Sequence, residues 1–386
     1  MAGMPFSKPL IAASLVGLVG LVAYYFGFVV GVDNADLRLA LLPWFEELVT
    51  RGPSAVAGEY SNYAPPYLYL LWLSSLADGP FSHATLIKAV SLFFTIFAGF
   101  IVFLIIREFG RSPATSAAGA ILFVCLPTIV LNGIYWGQCD IIYASLLLVF
   151  FLMSLRKMPT AATIFFGVAL AFKAQAIIMA PYLLFLVLAK EVSARTLVLV
   201  PLTYLVMMIP AAIAGRPWEE LLTVYLHQAQ TYQFLALNAP NLYTLLQDYS
   251  ALSYTTGLIG GILLTAIVGL AIAIGGLQFA RNGETQLLIA TSSALFIPFV
   301  LPKMHDRYFF LADVFSFVLA FTIRKGWSVA LLVQVASILA YTKFLFGFAY
   351  GPALGALVMT GAVVALALLI TQQGPRGHQA LVAAGR

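Results

Sequence analysis

Charge is scarce in this chain. Of its 386 residues only 9% are Asp, Glu, Lys or Arg, while 62% are hydrophobic. A soluble domain of that length must cover its surface with polar groups, so the composition excludes one and defines a polytopic membrane protein. Cysteine is rarer still: Cys125 and Cys139 both adjoin apolar runs, which argues against a disulfide framework or a zinc site. The net charge of +5 is small, and nothing in it points to a nucleic-acid partner. Low-complexity segments and internal repeats of fixed period are also missing.

What is present is a series of apolar runs near 9–31, 84–106, 113–131, 141–155, 160–172, 174–189, 196–214, 257–280, 285–301, 307–323, 327–346 and 353–371. Several fall short of the ~20 residues that a perpendicular span needs. Lys8 before a long apolar run resembles a signal peptide, but 9–31 is long enough to span and lacks a small-residue cleavage site, so it reads as a retained first helix. With a cytoplasmic N-terminus, each inner joint holds a cation: Arg107 and Arg111, Arg156 and Lys157, Lys190 and Arg195, Arg281, Arg324 and Lys325, and the tail residues Arg376 and Arg386. This is the charge bias of cytoplasmic loops. It leaves 32–83, 132–140, 215–256 and 302–307 on the opposite face, where the polar chemistry gathers.

The first outer loop opens on Asp33, Asn34 and Asp36. Asp33 or Asn34 suits a helix cap, and Leu37, Leu41, Leu42, Phe45 and Leu48 follow at helical spacing. The segment reads as an amphipathic interfacial helix with Trp44 at headgroup level. Pro65-Pro66 opens a second short, aromatic helix. In the second outer segment, NGIYWGQCDIIY, Tyr135 and Trp136 suit an interfacial belt. Gln138 and Asp140 ask for more, since Asp140 starts an apolar helix as either a cap or a functional acid. Lys173 and Gln175 sit between two apolar half-helices, where a lysine needs a partner, a wet cavity or a snorkelling path.

The densest polar cluster is PKMHDRY. Lys303 and Arg307 could anchor helix ends, with Asp306 neutralising one of them. That leaves His305 without a task. A point charge, a switchable donor and a planar fork together suit a phosphate, which at a membrane surface belongs to a lipid.

WGQCD, FKAQAIIMAP and LPKMHDRYFFLAD resemble motifs of bacterial glycosyltransferases of the GT-C superfamily. They are most similar to the group related to the mannosyltransferases of the glycosylphosphatidylinositol-anchor pathway. Asp36 followed eight residues on by Trp44, then SNYAPPYLYLL and NAPNLYTLL, fit the same pattern, which spans most of 30–315. Two departures stand out. The acid pair is D-x-x-D, so Asp33 competes with Asp36, and Asp306 replaces a glutamate after the histidine. The resemblance implies one all-α integral domain over 1–386 with about 11–13 transmembrane helices. Residues 9–256 would carry the catalytic helices and outer loops, and 257–386 the C-terminal helices with LPKMHDRY.

It implies inverting, metal-independent transfer of a hexose, mannose first, or a pentose from a polyprenyl-phosphate donor to a glycan, glycolipid or protein acceptor. No cofactor is expected, and no acidic D-x-D run sits in a soluble nucleotide-sugar domain. Asp36, or alternatively Asp33, would be the base. Lys303, His305, Arg307 and Lys173 would hold the donor phosphate. Gln175, Gln138, Asp140, Trp136, Tyr63, Tyr67 and Asn241 would contact substrate. The setting would be a bacterial inner or plasma membrane, with the site outside and the termini inside. A lipid-linked-sugar flippase or secondary transporter is the rival class, although it would usually show a repeat between halves. An acyltransferase would need an acyl-donor element to accompany His305-Asp306.

The charge pattern makes a testable statement about topology. Cysteine introduced by Tyr60→Cys or Gln230→Cys should react with an impermeant maleimide on intact cells; labelling only after the membrane is opened would invert the assignment.

Overall fold

The computed structural model describes residues 8–29, 34–230, 232–246 and 253–373; Asp33, Arg376 and Arg386 lie outside them. The protein is an all-α polytopic membrane protein. Its helices begin with α1 (Lys8–Val29), α2 (Leu42–Arg51), α3 (Pro65–Ser75), α4 (His83–Glu108), α5 (Pro113–Val124) and α6 (Pro127–Val130). Next come α7 (Asp140–Leu155), α8 (Pro159–Phe172), α9 (Ala180–Leu188), α10 (Leu199–Ile213) and α11 (Trp218–Gln230). The last are α12 (Leu242–Leu246), α13 (Tyr254–Gly276), α14 (Gly283–Val300), α15 (Phe310–Thr322), α16 (Gly326–Phe346) and α17 (Gly351–Gln373).

Among the described residues each apolar run of the sequence is largely helical, but the runs differ in reach. Seven helices among the described residues are long and apolar enough to cross a membrane, or eight if α5 and Pro127–Tyr135, bent by 43°, make one span. The 16 residues of α7 rise only about 24 Å, short of a hydrocarbon core of about 30 Å. Where 11–13 membrane helices were expected, the described residues hold seven or eight of full length and three shorter apolar ones, Asp140–Leu155, Pro159–Phe172 and Ala174–Leu188.

The chain forms two compact units, the first comprising 1–152, 160–176 and 197–231 and the second 153–159, 177–196 and 232–386. In the first unit α5 packs against both α1 and α4. Ser82 and Ser112 start α4 and α5 by accepting hydrogen bonds from the backbone N–H groups of Thr85 and Thr115 at 3.2 and 3.1 Å. The buried Lys88 donates to the Gly27 carbonyl at 2.8 Å. A cation thereby meets the negative end of α1 and ties it to the start of α4. Asn34, one of the two expected caps, accepts from Leu37 N–H at 2.9 Å. The chain then makes a π-helical turn, Leu37–Leu41, before α2. Leu37, Leu41, Trp44, Phe45 and Leu48 form the buried stripe. Trp44, expected at headgroup level, is 9% exposed and packs on the Tyr63 ring at 5.3 Å, where aromatic contact replaces water. Pro65 opens α3 as its sequence requires.

In the second unit, polar side chains stitch the helix ends together. Lys157 pairs with Glu191, Glu191 accepts from Gln286 at 3.1 Å, and Gln286 accepts from Tyr182 at 3.0 Å. Lys157 and Lys190 stand just past α7 and α9 in left-handed backbone, at φ 56° and 61°. Met158 and Glu191 N–H groups close back on the Met153 and Leu186 carbonyls at 2.9 and 2.8 Å. That is the usual helix-ending loop, with lysine where glycine is commonest.

Candidate functional site

The first unit holds a carboxylate cluster around Asp36. Its backbone is helical and its side chain makes no cap hydrogen bond, so capping does not account for it. Instead Oδ2 accepts from Trp136 Nε1 at 2.9 Å and from Gln138 Nε2 at 2.8 Å. Two neighbours reach one oxygen because Gly137 between them has φ 81°, a turn that a side chain would strain. A second π-helical turn, Leu131–Tyr135, leads into this loop, whose backbone is tied by Ser91 to the Gln138 carbonyl at 2.7 Å and by Asn34 to the Trp136 carbonyl at 3.2 Å. The Gln138 amide is oriented from its other end, where Oε1 accepts from Tyr63 Oη at 3.0 Å. Tyr63 rests on Tyr67 at 5.4 Å. Tyr67 is fully buried and its pKa is raised well above the usual range by loss of hydration.

Lys173 and Asp140 meet in the same unit. Lys173 Nζ donates to Asp140 Oδ1, Asn132 Nδ2 donates to Oδ2 at 2.9 Å, and both charged residues are buried. The ammonium also lies over the Tyr63 and Tyr143 rings, at 5.4 and 5.9 Å. Of the explanations for a lysine between half-helices, partnering is the one seen. Gln175 follows in a 3-10 turn, Ala174–Met179. The structure thus brings Asp36, Tyr63, Tyr67, Trp136, Gln138, Asp140 and Lys173 into one connected set within the first unit.

Lys303, His305 and Arg307 belong to the second unit. The short strands β1 (Ala236–Leu237) and β2 (Met304–His305) pair in parallel, Ala236 with Met304 and Leu237 with His305. Lys303 takes left-handed backbone at φ 63°, with its N–H donated to the Leu235 carbonyl at 2.7 Å and its Nζ to Tyr254 Oη at 2.9 Å. The His305 ring stands between Tyr232 at 5.4 Å and Tyr308 at 4.8 Å. Asp306 is buried and accepts from the Arg307 N–H at 2.9 Å. Asp313, at the far end of the same sequence stretch, lies buried inside α15. Asn241, expected to contact substrate, is fully buried; its Oδ1 accepts from Tyr243 and Thr244 N–H at 3.1 and 3.2 Å, and its Nδ2 donates to the Leu301 carbonyl at 3.3 Å. Its amide starts α12.

Sequence reasoning missed Asn132, the hydrogen-bond partner of Asp140, and missed a second set, Glu59, Tyr60, Arg216 and Glu220. The signal for the latter was the charged start of α11, RPWEE. Among the described residues no group of three His, Cys, Asp or Glu comes together.

No family model matches the chain, and no curated protein matches it. Among solved structures, the apo crystal structure of ArnT from Cupriavidus metallidurans superposes with a TM-score of 0.44 and 14% identity, covering 96% of this chain and 78% of that one. So distant a likeness carries no argument about this site.

The Asp140–Lys173 pair has a measurable consequence. Removing one partner strands a buried charge, so Lys173→Met alone should lower stability by about 3–5 kcal/mol. Lys173→Met combined with Asp140→Leu should recover most of that loss in thermal unfolding of the detergent-solubilised protein; equal stability of the single and double variants would show the pair to be energetically idle.

Proposed function

We propose that the protein is a glycosyltransferase of the GT-C type, transferring a sugar from a polyprenyl-phosphate donor to an acceptor hydroxyl on the non-cytoplasmic face. The observation that carries this reading is Asp36. A carboxylate at the outer end of the first membrane helix has one oxygen fixed by Trp136 and Gln138, and its side chain performs no capping task. Hydrogen bonds of this kind keep a carboxylate aimed, which a general base requires.

The reaction balances without further groups. The acceptor oxygen attacks the anomeric carbon and its proton passes to Asp36. The bond from that carbon to the phosphate oxygen breaks with inversion, and the polyprenyl phosphate departs as an anion. Lys303, His305 and Arg307 are the proposed partners of that phosphate; β1–β2 pairing and the His305–Tyr308 contact hold their loop in place. Lys173, already neutralised by Asp140, serves better to position Tyr63 than to meet an anion. Mannose remains the first choice of sugar on the sequence resemblance alone. The inner-membrane setting, the cytoplasmic termini and the metal-free mechanism belong to the same proposal.

Purified protein incubated with a radiolabelled polyprenyl-phosphate sugar should transfer or hydrolyse it; movement across a vesicle membrane without turnover would favour a flippase. Asp36→Asn keeps the shape and removes the base, so turnover should fall about 10²-fold or more while donor binding persists. Full activity in that variant would remove Asp36 from the mechanism. Arg307→Ala should weaken donor binding by about 1.5–3 kcal/mol, the scale of a lost charge-assisted hydrogen bond. Unchanged donor affinity would return Arg307 to a helix anchor.

A further inference from the structure

The first unit contains a polar cleft of about 470 Å³ that the reading above does not use. Trp44, Glu59, Tyr60, Arg216, Glu220 and His227 line it. Three stretches build it: Leu39, Ala40 and Trp44 around the start of α2, residues 59–62, and Arg216 with α11 as far as Gln228. The last two are latched by the Gln228 side-chain amide, which donates to the Asn62 carbonyl.

Its polar groups are incompletely satisfied. The Arg216 side chain is 5% exposed and donates Nε to Glu220 Oε2 at 3.3 Å. Arg216 Nη1 and the Tyr60 hydroxyl are both buried without a hydrogen-bond partner. A buried donor left unpaired costs far more than an average hydrogen bond contributes, so two beside one cleft call for a ligand. Tyr60 remains a hydroxyl donor, because burial first and the Glu47 charge second push its pKa up to about 12. Glu220 is raised as well, by loss of hydration first and then by its hydrogen bond with Glu59, against the pull of Arg216. The set therefore offers donors and acceptors side by side, next to the indole of Trp44.

The charge balance selects among ligands. Two carboxylates against one guanidinium disfavour an anionic headgroup; Glu220 is paired with Arg216, which leaves only the solvent-exposed Glu59 to draw a cation. A sugar ring both donates and accepts through its hydroxyls and presents a C–H face to an aromatic ring. The cleft also adjoins the proposed base. Leu39 and Ala40 on its wall belong to the π-helical turn that follows Asp36. Trp44 packs on Tyr63, whose hydroxyl orients the Gln138 amide that holds Asp36. We infer that this cleft binds the acceptor and that the acceptor presents a neutral carbohydrate ring, whether free glycan or glycolipid headgroup. The inference rests on Asp36 as the base.

The test uses the full-length protein in nanodiscs without donor, with methyl α-D-mannopyranoside and methyl α-D-glucopyranoside as probes and glucose 6-phosphate as the anionic control. Saturation-transfer NMR should detect at least one neutral glycoside, and Arg216→Gln should weaken it tenfold or more. Glu59 is exposed, so Glu59→Gln keeps the test open where Arg216→Gln fails to fold; it too should weaken binding several-fold and raise the KM for a glycoside or glycolipid acceptor with little change in kcat. Asp36→Asn should bind the glycoside normally. Full transfer activity in Asp36→Asn, with glycoside binding still dependent on Arg216 and Glu59, would preserve the cleft and overturn only the catalytic reading. No glycoside binding to the wild type, unchanged binding in Glu59→Gln, or preferential binding of glucose 6-phosphate would overturn the inference.

Discussion

The buried contact between Lys173 and Asp140 constrains the rest of the first unit. Neither charge is tolerable alone away from water, so the break after α8 and the start of α7 must stay together. That requirement propagates along named contacts. The ammonium fixed by Asp140 lies over the Tyr63 ring, the Tyr63 hydroxyl orients the Gln138 amide, and Gln138 with Trp136 holds the Asp36 carboxylate. A carboxylate on such a loop would otherwise sample several rotamers. Here its direction is set by a charge pair three side chains away.

The irregular turns sit where this chain of contacts needs them. Asp36 immediately precedes one π-helical turn, Trp136 immediately follows another, and Lys173 is followed by a 3-10 turn. Such turns shift side chains off the regular helical comb, which is how residues on separate elements come to share one oxygen. An unbroken α-helix at any of the three places would re-aim the side chain by a large fraction of a turn.

Sequence pattern was a good guide wherever local physics decides. Apolar length located the helices, Asn34 was one of two candidate caps, and Pro65-Pro66 marked the start of α3. It was a poor guide wherever distant segments decide. Lys173 and Asp140 were each conspicuous, yet nothing in their spacing links them. Trp44 carries the composition of an interfacial anchor and is covered by Tyr63. Asn241 looked like a contact residue and is an internal brace for α12. Glu59 and Arg216 are ordinary loop charges until the fold sets them around one cleft. Asp33, the rival base, lies outside the described residues.

Lys157 and Lys190 close their helices in a backbone conformation that suits glycine better. The same two residues belong to joints that the proposed topology sets on the inner side of the membrane, so under that proposal one position serves both the ending of a helix and the orientation of the chain. Glycine there would relax the backbone and delete a sorting signal in the same stroke. A search for heat-resistant variants would therefore be drawn towards changes that leave the folded molecule sturdier and its insertion less decided. Under the proposed topology, robustness after assembly and fidelity during assembly are opposed at these two positions, and lysine is the compromise the chain carries.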